Sequence, residues 1–226
     1  MSNEHFQQDG RNTMSRGMLI VVSSPSGGGK GTLIDRVLKT VPNVSYSVSF
    51  TTRAPRPTEK DGREYFFIDR PTFETMIARG EFLEWADVYG HLYGTSSKQV
   101  DRERAAGHDI ILEIDVQGAE NIRHKLPDAV SIFILPPSFE LLRKRLLARG
   151  TDSADALEKR MRGAPSEVEQ YKYFQYVILN DDINRASQQL ASVIYAERAR
   201  RERQESNLRR ALEDFGAFEN AASESR

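Results

Sequence analysis

Four short stretches of the chain are apolar almost without interruption: Leu19–Ser23, Ile110–Ile114, Ser131–Leu135 and Tyr176–Leu179. They are rich in Ile and Val and too short for helices, which need about ten residues or more. The pattern predicts strands buried on both faces, as the strands of a parallel sheet are. Helical periodicity follows them. Thr32–Thr40 places Leu33, Ile34, Val37 and Leu38 on one stripe. Ser138 suits the N-cap of a helix through Phe139, Leu142 and Leu146 that stops at Gly150. Strand and helix in alternation predict an α/β fold with a parallel core sheet flanked by helices.

Val44–Asp87 is patterned differently. Ser45–Thr51 and Glu64–Ile68 flank the tight-turn signal Asp61-Gly62, which predicts an antiparallel ribbon. Pro71 and Gly80 bracket a short helix, and Glu81–Val88 reads as a further strand. A mixed α+β lobe therefore interrupts the parallel core. Residues 1–17 are polar and lack periodicity, as a flexible leader would. At the other end, 199–226 forms a charged helix and tail, and the Arg- and Glu-dense Glu197–Arg210 reads as a solvated helix that frays. Whether that helix is an interface in a homo-oligomer stays open.

Composition narrows the classes. The 226 residues are 38% hydrophobic and 29% charged, enough apolar material for a core and one domain with an inserted lobe. Thirty-two Lys+Arg against 33 Asp+Glu leave a net charge of −1, so no global basic field recommends a nucleic acid or membrane partner. With no cysteine, thiolate metal sites and Cys nucleophiles are excluded. His5, His91, His108 and His124 lack ligand spacing, so no direct metal ligands are expected. The longest apolar N-terminal run, Met18–Val22, is far short of the roughly 20 residues that span a bilayer. A cytoplasmic protein is expected.

The first chemical motif follows Leu19–Ser23: Ser24-Pro25-Ser26-Gly27-Gly28-Gly29-Lys30-Gly31-Thr32, and then a helix. Glycines let successive N–H groups curl round a phosphate, and the helix dipole favours the anion. Lys30 would add a mobile charge across the β- and γ-phosphates of a nucleotide. Two positions depart from the usual phosphate-loop string. Ser24 replaces its first glycine, and Gly31 stands where a Mg²⁺-binding hydroxyl is expected, with Thr32 one place later.

A second anion site is expected in the inserted lobe. Arg53 and Arg56 lie in a loop stiffened by Pro55 and Pro57, and two guanidinium forks there suit bidentate capture of a phosphate dianion. Downstream come aromatics, hydroxyls and Glu84. A carboxylate only accepts hydrogen bonds, so it matches guanine, which presents N1–H and N2–H₂ side by side, whereas adenine would present an acceptor. From spacing alone, Tyr65 and Tyr93 read equally well as core aromatics.

Eight segments then converge on one resemblance: Pro25–Lys30, Thr51–Arg56, Asp61–Tyr65, Glu81–Trp85, Tyr93-Gly94-Thr95, Asp115–Gly118, Arg149-Gly150-Thr151 and Asn180-Asp181-Asp182. In this order and spacing, over about Gly17 to Arg198, they resemble the guanylate kinase family. The resemblance implies a P-loop kinase fold in which ATP phosphorylates GMP, with Mg²⁺ held mainly by ATP phosphates and water. It divides the chain into a core (18–43, 96–137 and 171–198), a GMP-binding lobe (44–95) and a helical lid (138–170). Arg53, Arg56, Tyr65 and Tyr93 would hold the GMP phosphate, and Ser49, Glu84 and Thr95 would read guanine. Asp115 would help position the acceptor. ATP would lie on Ser24 through Thr32 with Asn180 near adenine, while Lys30, Arg53, Arg145, Arg149 and Arg160 supply catalytic charge. The alternative is a guanylate-kinase-like interaction module without catalysis.

Overall fold

The computed structural model describes residues 16–149 and 154–224. The expected leader, except Arg16 and Gly17, and Gly150-Thr151 of the lid therefore lie outside the described residues. In chain order the elements begin with β1 (Leu19–Ser23), α1 (Lys30–Thr40), β2 (Val44–Tyr46), β3 (Phe50–Thr51), β4 (Phe66–Phe67), α2 (Arg70–Ala78), β5 (Phe82–Val88) and β6 (His91–Ser96). Then come α3 (Ser97–Ala105), β7 (Asp109–Glu113), α4 (Val116–Lys125), β8 (Val130–Leu135), α5 (Phe139–Arg149), α6 (Ala154–Glu169), β9 (Tyr176–Leu179), α7 (Ile183–Arg198) and α8 (Arg201–Glu224).

The core sheet is parallel with strand order β2-β7-β1-β8-β9, and β1 registers Val21 with Leu112 and Ser131. Alternation along β1 divides the core into two layers. Ile20 and Val22 pack with Leu33, Ile34 and Val37 of α1 and Leu190 and Ile194 of α7. Leu19 and Val21 face the other way, toward Val100 of α3 and Ala119 and Ile122 of α4. Each buried Ile, Leu or Val contributes about 1.5–3 kcal/mol by leaving water. Asp109 ties down the amino-terminal end of β7: its carboxylate accepts from Met18 N at 2.7 Å and from Arg198 Nε at 2.7 Å.

Two strand expectations need correction. β9 is the edge of the sheet and is half covered: Ile178 is buried while Val177 and Leu179 are exposed. The expected antiparallel ribbon is also absent. Val44–Tyr46 runs parallel to β7 in the core sheet, whereas Phe50–Thr51 belongs to a second sheet of order β4-β3-β6-β5. There β3 and β4 are parallel, and β3 is antiparallel to β6. The intervening loop, Thr52 to Tyr65, crosses over instead of turning back, and its Arg53, Arg56 and Tyr65 line a cleft.

The second sheet buries Phe73 of α2 against Phe82 and Leu92, with Phe73 and Phe82 stacked at 4.4 Å. Asp69 caps α2 by accepting from Thr72 N, and Pro71 occupies its first turn. The lid is a helix pair with its own small core of Leu142, Leu146 and Ala164. Ser138 Oγ accepts from Leu141 N, as expected of its N-cap role. No helix among the described residues is long and apolar enough to cross a membrane.

Candidate active site

The cleft lies at the carboxyl ends of β1 and β7, where α/β folds bind ligands. Ser24, Ser26, Gly27, Gly28, Gly29 and Lys30 form one wall, and Ser49, Arg53, Arg56, Tyr65, Glu84 and Tyr93 form the other. Tyr89, Glu113, Asp115, Arg160 and Glu167 also line it. Most of the residues expected at two distant segments of sequence therefore share one cavity.

The phosphate loop is held from behind. Gly29 has φ 91, a left-handed conformation that admits the sharp entry into α1. A Cβ there would lie 2.5 Å from Asn180 Nδ2, so only glycine fits. Asn180 Nδ2 donates to Gly28 O at 2.9 Å, Arg145 Nη1 donates to the same carbonyl at 3.2 Å, and Arg145 Nη2 donates to Asn180 O. These bonds hold the Gly28 carbonyl on the far side of the loop, while Gly28 N donates to Pro25 O at 2.9 Å within it. Lys30 Nζ donates to Ser24 Oγ at 3.1 Å. Pro25, Gly31, Thr32, Arg145 and Asn180 are not on the cleft wall, and Thr32 is exposed.

The opposite wall is organised by a residue that the motifs did not single out. Glu59 accepts from Arg53 Nη2 through both oxygens at 2.9 Å, from Arg56 N at 2.8 Å and from Arg56 Nη1 at 3.2 Å. Burial opposes its ionisation, but these donors hold the carboxyl below the usual glutamate range. Arg53 Nε donates to Tyr93 Oη at 3.2 Å and its guanidinium lies 5.5 Å from the Tyr65 ring centroid. Tyr65 and Tyr93 are thus wall residues that orient Arg53, rather than core aromatics. Glu59 lies three residues after Arg56, but nothing in that spacing distinguishes it from a solvated carboxylate.

At the back of the cleft Glu84 is buried, and its Oε1 accepts from Thr95 Oγ1 at 2.5 Å. Thr95 therefore stands behind Glu84. Ser49 is buried on the cleft wall. Burial, and then the charge of Asp115, push Glu84 up to about 7, while the Thr95 hydrogen bond opposes them. A Cβ on Gly118 would lie 2.6 Å from Glu84 Oε2, so the start of α4 closes tightly on this carboxylate. Asp115 is not the end of a strand as expected: β7 ends at Glu113, and Asp115 caps α4 by accepting from Gly118 N at 3.0 Å. Burial raises its pKa, against the opposing pull of the Gly118 and Gln117 amides and Lys30.

The lid reaches the phosphate loop through α6. Arg160 Nη1 donates to Ser26 Oγ at 3.1 Å, and Glu167 accepts from Ser26 N at 2.9 Å. Glu167 was not distinguished by its sequence context either. Arg149 ends α5, but its side chain lies outside the described residues.

Lys30 on the glycine-rich loop thus faces Arg53 and Arg56 in one cleft, with the buried carboxylate of Glu84 on its wall. That arrangement can hold two anions close together and read a donor-rich base.

Comparison with known proteins agrees. A family model described as guanylate kinase matches residues 16–197. The chain is 48% identical over 204 residues to a guanylate kinase of Thiobacillus denitrificans, covering 90% of this chain and 96% of that protein. It is likewise 48% identical to one from Symbiobacterium thermophilum, over 90% of this chain and 96% of that one. A crystal structure of guanylate kinase from Anaplasma phagocytophilum superposes with a TM-score of 0.71 at 36% identity, covering 84% of this chain and 90% of that one.

Proposed function

We propose a division of labour within a chain that belongs to the guanylate kinase family. As a member it is an ATP:GMP phosphotransferase of purine nucleotide metabolism, moving the γ-phosphoryl group of ATP to GMP and giving ADP and GDP. The observation that carries the residue assignments is the Lys30-bearing glycine loop and the Arg53–Arg56 pair in one cleft, with Glu84 buried on its wall.

The GMP phosphate is assigned to Arg53, Arg56, Tyr65 and Tyr93. The Glu59 carboxylate engages both arginines and so holds their guanidinium groups together at this site. Glu84 accepts the guanine N1–H and amino protons, with Ser49 and Thr95 beside it and Asp115 at the acceptor's edge. ATP is assigned to the Ser24–Thr32 loop, with Asn180 toward adenine. Lys30, Arg145, Arg149 and Arg160 neutralise its phosphates.

The GMP phosphate has a second pKa of about 6, so near neutrality it is already an oxyanion and needs no general base. Rate enhancement must come from in-line alignment and from neutralising charge on the migrating group. Lys30 and the loop amides do this from one side, Arg53 and Arg56 orient the nucleophile from the other, and the lid excludes water that would otherwise hydrolyse ATP.

Mg²⁺ fits this cleft indirectly. A Cβ at Gly31 would lie 3.6 and 3.8 Å from the Glu113 oxygens, so hard oxygen groups border the loop. Among the described residues no group of three or more His, Cys, Asp or Glu could hold a metal. Glu113 and Asp115 would hold the ion through water, with ATP phosphates as its main ligands, and the ion would supply further charge neutralisation. The cytoplasm is the compartment assigned to this reaction.

No observation favours a catalytically silent interaction module, since Lys30, Arg53, Arg56 and Arg160 all line the cleft. The test is GDP formation by wild type and Lys30→Ala. The variant should lose on the order of 10²–10³ in turnover, as removal of a preorganised charge contact does, with unchanged thermal stability. Near wild-type turnover would overturn the assignment.

A further inference from the structure

The inserted lobe touches the lid through a turn with an unusual backbone. Tyr89, between β5 and β6, has φ 55, and Gly90 after it has φ 88. Turns of this kind favour Asn, Asp or Gly, and a bulky residue held there points to a role for its side chain. The phenol lies on one face of α6. Its hydroxyl donates to Glu167 Oε1 at 2.9 Å, and the Arg160 guanidinium is 5.9 Å from the ring centroid. A Cβ on Gly163 would come within 2.8 Å of the hydroxyl oxygen. Arg160, Gly163 and Glu167 share a helix face by their spacing of three and four. Glycine weakens a helix interior, and at 163 it makes room for Tyr89.

The same two lid side chains grip the phosphate loop. Glu167 Oε2 accepts from Ser26 N, and Arg160 Nη1 donates to Ser26 Oγ. One carboxylate thus bridges the lobe and the loop, each through its own oxygen. Burial, and then the charge of Glu167, hold the Tyr89 hydroxyl above the ordinary tyrosine range, so it remains a donor.

We infer that Tyr89 is a positioning residue for phosphoryl transfer: by holding Glu167 it fixes the register of the lid helix and seats Arg160 against the phosphate loop. The inference rests on the lobe and lid assignments made above. Tyr89 lines the same cleft as the groups assigned to GMP, but its hydroxyl is bonded to the lid, and through Glu167 and Arg160 that contact leads to Ser26 of the phosphate loop. Its effect therefore falls on the ATP side of the reaction.

Tyr89→Phe keeps the ring over Arg160 and removes only the hydroxyl, from a partly exposed site. It should lower kcat/KM for ATP about fivefold to tenfold, the scale of one ordinary hydrogen bond, since the site is partly exposed. The dissociation constant of GMP in the absence of ATP and the melting temperature should not change. In a Glu167→Ala background the same substitution should have no further effect, because the two residues act through one bond. Unchanged kcat/KM for ATP in Tyr89→Phe, or independent losses that add in the double variant, would overturn the inference. GMP-dependent ADP release by wild type, measured alongside, separates the two claims: its absence would refute the proposed function itself.

Discussion

Glu84 should make the empty protein less stable for the same reason that it suits guanine. The side chain is 3% exposed, and burial together with Asp115 pushes its carboxyl from the ordinary value of 4.5 to about 7. The folded chain therefore holds this proton more tightly than the unfolded chain, and stability contributed by the group is present in acid and lost as the pH rises from 4.5 toward 7. At ~1.4 kcal/mol for each tenfold change in proton affinity, the ionised carboxylate costs about 3 kcal/mol above neutrality. Glu84→Gln preserves shape and an acceptor for Thr95 while removing the charge. Without ligand at about pH 8, the variant should be on the order of 3 kcal/mol more stable than wild type, or roughly 6–12 °C in melting temperature. The gap should close as the pH is lowered toward 5. GMP reverses the order: the glutamine amide sets a donor against guanine's donors, and kcat/KM for GMP should fall by about 10²-fold or more. Thermal denaturation across pH, with and without GMP, measures both effects. A variant no more stable than wild type at pH 8, or a gap that ignores pH, would refute the reasoning.

Other perturbations separate the two halves of the cleft. For wild type, kcat/KM for GMP should decline as the pH falls below about 7, when Glu84 takes up a proton, and the part of that decline due to Glu84 should vanish in Glu84→Gln. Gly118→Ala would put a Cβ 2.6 Å from Glu84 Oε2, so KM for GMP should rise with little change in ATP binding, which equilibrium titration of each nucleotide can check. Gly29→Ala combines a left-handed backbone with a 2.5 Å clash at Asn180 Nδ2. It should cost on the order of 1–2 kcal/mol in strain and weaken ATP more than GMP in the same titrations. Asp109→Ala would strip the partners from Met18 N and Arg198 Nε, and urea denaturation should show a loss of about 3 kcal/mol with the cleft's chemistry intact.

The core strands were legible because β1, β7 and β8 lie inside the sheet and are apolar on consecutive residues. β9 shares that pattern, but its exposed Val177 and Leu179 follow from its edge position, which local sequence does not encode. The failed ribbon has a similar cause. Val44 through Thr51 alternates continuously, and alternation is the same in any sheet, so the passage from β2 in one sheet to β3 in another left no mark. Lys30, Arg53, Arg56 and Glu84 were visible as chemistry that demands a ligand. Glu59, Tyr89 and Glu167 were not, because each works by touching a residue remote in sequence or role, and a lone carboxylate in a charged segment looks the same whether solvated or paired.

The central claim is that this cleft transfers phosphoryl groups to a guanine nucleotide and reads its base through Glu84. The most direct measurement is ADP release from Mg·ATP by the wild-type protein with GMP, dGMP, AMP, UMP, CMP or water alone as acceptor. The account predicts strong release with GMP, little with AMP and almost none with water. Equal release with AMP or UMP, or silence with GMP although GMP binds, would contradict it.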